Sequence, residues 1–187
     1  MSAAEHSRDD AEPPSRSLNR ITFSLSIEDA VDGSSVPPAD QLSDCAELVV
    51  QRVKNNSETP THFEVSVSVV DEAAIQALNL EYRFKDQPTN VLSFPSGMPL
   101  FSTNPDEMPY QVLGDVVVCQ SVITREASEH NKSTEHHFIH MLVHSLLHLF
   151  HYDHETESDA AVMEALEIQL LAELSIPNPY QLSFQNT

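Results

Sequence analysis

Histidines recur at 137, 140, 144, 148 and 151, then again at 154, and no other feature restricts this chain's fold as tightly. In His144-Ser145-Leu146-Leu147-His148-Leu149-Phe150-His151-Tyr152-Asp153-His154 the spacing predicts a helix that stops and doubles back. On a helix, His144 and His148 lie one turn apart, roughly 6 Å along the axis and on one face. Such a pair can occupy two corners of a metal's coordination sphere. His154 joins them only if the chain reverses, and Tyr152-Asp153 are suitable turn residues. Three imidazole nitrogens leave one position of a tetrahedral zinc open, the arrangement of a catalytic site rather than a closed structural one. The competing reading is a histidine-rich helix face without a ligand. It would leave imidazoles unpaired among Leu146, Leu147 and Leu149, at an energetic cost.

A second triplet, His140, His144 and His148, has strict four-residue spacing. A straight helix spreads it over roughly 12 Å, too far for nitrogens that must each lie about 2.0–2.1 Å from one ion. His140 and His151 are therefore expected outside the ligand set, in support of it or at the surface. The helix resembles the HExxH element of metalloproteases but has Ser145 where that motif carries its general base. Asp153 is the nearest carboxylate. It would either orient a ligand from behind or bond its own backbone in the turn.

Hydrophobic periodicity places the rest. Residues 21–27 and 63–70 alternate as strands, and 90–94 and 112–119 are two more. Helices are predicted over 40–54, 72–84 (capped by Asp71), 120–130, 133–151 and 157–174. The proline-rich stretch between Pro95 and Val112 reads as a loop of about fifteen residues, a length that tends to be functional. These elements give a single α/β (α+β) domain, residues 21–176, with a mixed four-stranded sheet flanked by helices and the metal motif on a helix of the C-terminal half. Residues 1–20 have the composition of a disordered tail, and Pro177 and Pro179 end the last helix, leaving 177–187 as a C-terminal tail.

The formal net charge of −20 narrows the class of partner. Residues 28–50 and 155–187 hold acids and no Lys or Arg. That balance opposes non-specific nucleic-acid binding, so no DNA partner is expected. A polyanionic substrate would have to approach a local exception, and Arg83, Lys85, Arg125 and Lys132 are the cations placed to make one. No apolar run reaches the ~20 residues that span a bilayer, and no signal peptide is visible. Cys45 and Cys119 fit neither a disulfide framework nor a zinc pair. A cytoplasmic protein without a membrane partner is expected.

Arg83 closes its helix just before Lys85-Asp86-Gln87-Pro88. Its guanidinium could hold a phosphate bidentately and stabilise developing charge, or simply complement the helix dipole. Three blocks favour the first role: Tyr82-Arg83 with Lys85-Asp86 and Pro88-Thr89-Asn90-Val91-Leu92-Ser93-Phe94-Pro95; Leu113-Gly114-Asp115-Val116-Val117-Val118; and the segment from His144 to His154. In that order they resemble the YbeY family of zinc-dependent rRNA-maturation endoribonucleases, and Asp159, Met163 and Glu167 continue the likeness. Ser145 and His151 stand where that family usually has glycine, so the bend before His154 is expected to differ.

The resemblance implies one zinc ion per chain on His144, His148 and His154. It implies Arg83 as a catalytic and substrate-binding residue with His144 in the same site, and Lys85, a cation two residues on, is the further substrate contact expected beside it. The implied activity is single-strand-specific endoribonuclease cleavage in small-subunit (16S) rRNA maturation and ribosome quality control. The ribosomal small subunit, basic ribosomal proteins and assembly factors are the expected partners. The acidic surface also fits an alternative, a non-catalytic ribosome assembly factor with a structural zinc.

Overall fold

A computed structural model describes residues 20–54, 62–97 and 110–181. Of the tail expected over 1–20, residues 1–19 lie outside the described residues and Arg20 instead opens the first strand; residues 55–61, 98–109 and 182–187 also lie outside them. Four strands, β1 (Arg20–Ile27), β2 (His62–Val70), β3 (Val91–Pro95) and β4 (Tyr110–Cys119), form one sheet in the order β1-β2-β4-β3. β1 and β4 both run parallel to β2, and β3 runs antiparallel to β4, so the sheet is mixed.

Alternation builds β2. Phe63, Val65, Val67 and Val69 are buried on one face, against α4 and α1, while Ser66 and Ser68 take the other. Two crossover helices, α1 (Ala39–Val53) and α2 (Glu72–Arg83), follow the first two strands. Three more, α3 (Gln120–Glu129), α4 (Thr134–Leu149) and α5 (Glu157–Glu173), follow β4. The mixed α/β domain is thus the one the periodicity predicts. Among the described residues no helix is long and apolar enough to cross a membrane.

α4 is the central element. Phe138, Ile139, Leu142, Val143, Leu146, Leu147 and Leu149 are buried around nearly its whole circumference. A helix apolar on so many sides must be enclosed, and α1, α3, α5 and the sheet enclose it. Its start is fixed by Ser133, whose hydroxyl accepts the N–H of His136. Its end comes at Leu149, two residues earlier than the sequence reading placed it. The reason is His151, which sits in the left-handed region with φ 64°. The N–H of His151 then donates to the carbonyl of His148, and the N–H of Tyr152 to that of Leu147. This left-handed reversal is a common way to end a helix, usually with glycine. Here His151, at one of the two positions where the resemblance implies glycine, makes the reversal itself. Ser145, at the other such position, is fully buried and its hydroxyl has no hydrogen-bond partner among the described residues.

Gly114 sets the opposite wall. A side chain there would come within 2.1 Å of the Phe94 carbonyl, and its φ is 139°. The glycine lets β3 run close beside β4, at a point where the β2–β4 register shifts. That contact holds β3, with Phe94 on it, against β4, and β3 packs in turn on α4.

Candidate metal centre

The reversal after α4 brings His154 back to His144 and His148. The His144 and His148 Nε2 atoms are 3.1 Å apart. The His154 ring centroid lies 5.6 Å from that of His144 and 5.1 Å from that of His148. One nitrogen from each ring lies within 4.8 Å of the others. His144 and His148 are half-buried and His154 is exposed, so the cluster opens to solvent on one side.

Hydrogen bonding assigns the protons. His148 Nδ1 lies 2.9 Å from the backbone oxygen of Tyr152. A carbonyl only accepts, so this nitrogen carries the hydrogen. His144 Nδ1 lies 2.8 Å from Glu167 Oε1, a carboxylate that likewise accepts. In the neutral rings both Nε2 atoms therefore present lone pairs, facing each other at 3.1 Å. Two lone pairs at that distance repel unless a cation lies between them. The separation is close to the ~3.3 Å edge of a tetrahedron whose metal–nitrogen bonds are about 2.0–2.1 Å. The surroundings also favour the neutral form of His148. Burial pushes its pKa below the usual imidazole range and neighbouring His144 pushes the same way, outweighing the Tyr152 carbonyl.

Glu167, on α5, is the residue that sequence reasoning did not assign to the site. It is fully buried. Its Oε1 receives His144, while Oε2 receives the Tyr180 hydroxyl and faces His140 Nε2 at 3.4 Å. Burial alone would raise its pKa, but the bonds from His140, His144 and Tyr180 outweigh that and hold it at about 2. It is a fixed anion behind the cluster. Burial, and then the adjacent carboxylate, push the Tyr180 phenol well above its usual range. One local signal was available. Met163, Glu167, Leu170 and Leu171 share one helical face, and an acid on an apolar face needs a partner.

Arg83, Lys85, Asp153 and His151 line one cleft with His144, His148 and His154, of about 870 Å³. All the site residues taken from the sequence thus face a single cavity. Asp153 takes the turn role, since its Oδ1 accepts the backbone N–H of His154 at 2.7 Å. His140 lies outside the triplet, behind Glu167. Two of the four cations expected to form a basic exception do not contribute to it. Arg125 pairs with Glu72 at 2.9 Å, and Lys132 donates to the Pro179 carbonyl. Among the described residues Arg83 and Lys85 have no carboxylate partner, so they are the cleft's free positive charge. Residues 177–181, read from the sequence as tail, turn back so that Tyr180 covers Glu167.

The sequence model of a family described as "Endoribonuclease YbeY" matches residues 27–175. The Endoribonuclease YbeY of Francisella tularensis subsp. tularensis is 41% identical over 153 residues, covering 80% of this chain and 84% of that one. That of Acinetobacter baylyi is 46% identical over 138 residues, covering 71% of this chain and 82% of its own. A solution structure of a Thermotoga maritima protein aligns with a TM-score of 0.47 at 22% identity, covering 86% of this chain and 99% of that one.

Proposed function

The chain belongs to the Endoribonuclease YbeY family, and from that premise we propose that it is a zinc-dependent, single-strand-directed endoribonuclease. Its substrate is small-subunit rRNA, cut during maturation and ribosome quality control in the cytoplasm. The working domain is residues 21–176, with Tyr180 of the segment that follows packed onto its Glu167. One zinc per chain is held by His144, His148 and His154. What supports this reading is the pair of converging lone pairs on His144 and His148, in the same cleft as Arg83 and Lys85, which have no carboxylate partner among the described residues.

A set of three imidazoles without thiolate or carboxylate suits a borderline ion and leaves a position open. When bound, zinc supplies Lewis acidity and lowers the pKa of water. The protein's own groups do the rest. Glu167 and the Tyr152 carbonyl hold the Nδ1 hydrogens of His144 and His148, turning each Nε2 toward the cleft. Arg83 offers a planar fork to two phosphate oxygens and, with Lys85, offsets the charge that gathers on a phosphodiester during cleavage. Basic ribosomal proteins or assembly factors are the fitting partners for the rest of the surface, which carries most of the net charge of −20.

Replacing Glu167 by glutamine keeps the shape but offers an amide where His144 needs an acceptor of full charge. Zinc affinity is expected to fall about 10- to 100-fold, the usual consequence of losing an outer hydrogen-bond partner. Competition with a chromophoric chelator measures it. Unchanged affinity would remove Glu167 from the site.

Protein of measured zinc content, given a precursor rRNA segment first as single strand and then annealed to its complement, tests the activity itself. Cutting confined to the single strand is expected. Equal cutting of both forms, or none of either, would refute the proposal.

A further inference from the structure

We propose that Phe84 and Tyr82, the exposed rings on either side of Arg83, form a stacking platform for the bases of single-stranded RNA entering the cleft. This extends the ribonuclease reading and rests on it.

Phe84 carries the inference. It is 88% exposed. Its backbone is left-handed, with φ 58°. It closes α2 by donating its N–H to the Leu80 carbonyl, while the N–H of Lys85 donates to the Asn79 carbonyl. Glycine or asparagine suits such a position, and a bulky side chain there is an outlier. The ring is strained into place and then left in water, where it adds nothing to the core. Strain of this kind gathers at ligand clamps. Tyr82 is 57% exposed, and the edge-on ring of Phe94, 5.0 Å away, braces it. Tyr82 and Phe94 line the cleft with Arg83, Lys85 and the three histidines, and Phe84 lies outside that lining, between two residues that belong to it.

The order Tyr82-Arg83-Phe84-Lys85 alternates ring and cation. Proteins that hold single strands use this combination: aromatic faces take successive bases and cations track the phosphates. Bases within a duplex are already stacked on one another and offer no free face. The place of the rings chooses RNA over a protein partner: they flank Arg83, beside the histidine cleft, where Arg83 and Lys85 offer two cations to phosphates although Glu81 and Asp86 balance their charge. The platform would also give a reason for single-strand preference that does not involve the metal.

The test uses zinc-loaded, full-length wild type with Phe84→Gly, Tyr82→Leu and Phe84→Trp. A short single-stranded RNA containing 2-aminopurine reports stacking by its fluorescence. Thermal unfolding, kcat and KM are measured alongside. Phe84→Gly should fold at least as stably as wild type, because it relieves the left-handed strain. It should also weaken RNA binding and raise KM about ten-fold, with kcat little changed and quenching reduced. Tyr82→Leu should do the same to binding, while Phe84→Trp should retain both affinity and quenching. Unchanged Kd, KM and quenching in Phe84→Gly and Tyr82→Leu would overturn the platform. So would loss of a protein contact with RNA kinetics intact. Wild type that neither binds nor cuts RNA would instead refute the ribonuclease reading beneath it.

Discussion

Alanine in place of His144 is expected to abolish stoichiometric zinc binding and to lower RNA cleavage by more than the ~10²-fold that losing an outer partner costs. Two ligands would remain, His148 on the helix and the exposed His154, and a pair holds zinc far less firmly than a triplet. The fold should survive. His144 is only half-buried, and the core contacts of α4 are made by Phe138, Leu142, Leu146 and their neighbours on its other faces. Glu167 would keep the Tyr180 hydroxyl and His140 as partners. Metal analysis by atomic emission, cleavage rates and thermal melts on one preparation check all three parts. Full zinc content in His144→Ala would mean that the ligand set is misassigned. Loss of zinc accompanied by global unfolding would mean that the metal is structural, and would favour the assembly-factor alternative.

Arg83→Ala should act on the chemistry and leave the metal alone. Arg83 is the last residue of α2 and shares the cleft with the histidines without touching Glu167 or the ligand hydrogen bonds. Zinc content and melting temperature should therefore match wild type. The rate should fall about 10²- to 10³-fold, as it does when one preorganised donor to a developing negative charge is removed. Arg83→Lys should recover only part of it, because an ammonium keeps the charge and loses the bidentate fork. Equal rates for Arg83→Ala and wild type would mean that the cutting comes from elsewhere.

Local periodicity made most of the architecture legible. The alternation of Phe63, Val65, Val67 and Val69 and the histidine stripe of α4 are strong signals, and these elements fall within a residue or two of where the pattern puts them. The end of α4 was less legible. His151 reads as one more histidine on the stripe, and only its left-handed φ reveals a terminator. The rise per residue of a helix was enough to prefer His154 over His140, a choice that needs no tertiary information. Partners distant in sequence were not legible. The sign of Arg125 is plain, but Glu72, 53 residues away, cancels it. Tyr180 follows two prolines and reads as tail, yet it packs on the carboxylate behind His144. Glu167 itself was visible as an acid on an apolar face, and what it was paired with was not.

The most direct measurement is a zinc titration of the metal-free protein, with cleavage of a single-stranded precursor rRNA fragment followed at each addition. Cleavage should rise from background in proportion to zinc and level off at one equivalent per chain, with Arg83→Ala binding the same equivalent and staying near the baseline. Cutting by the metal-free protein at the full rate, or one bound zinc without cutting in any RNA tested, would contradict a single site built from His144, His148, His154 and Arg83.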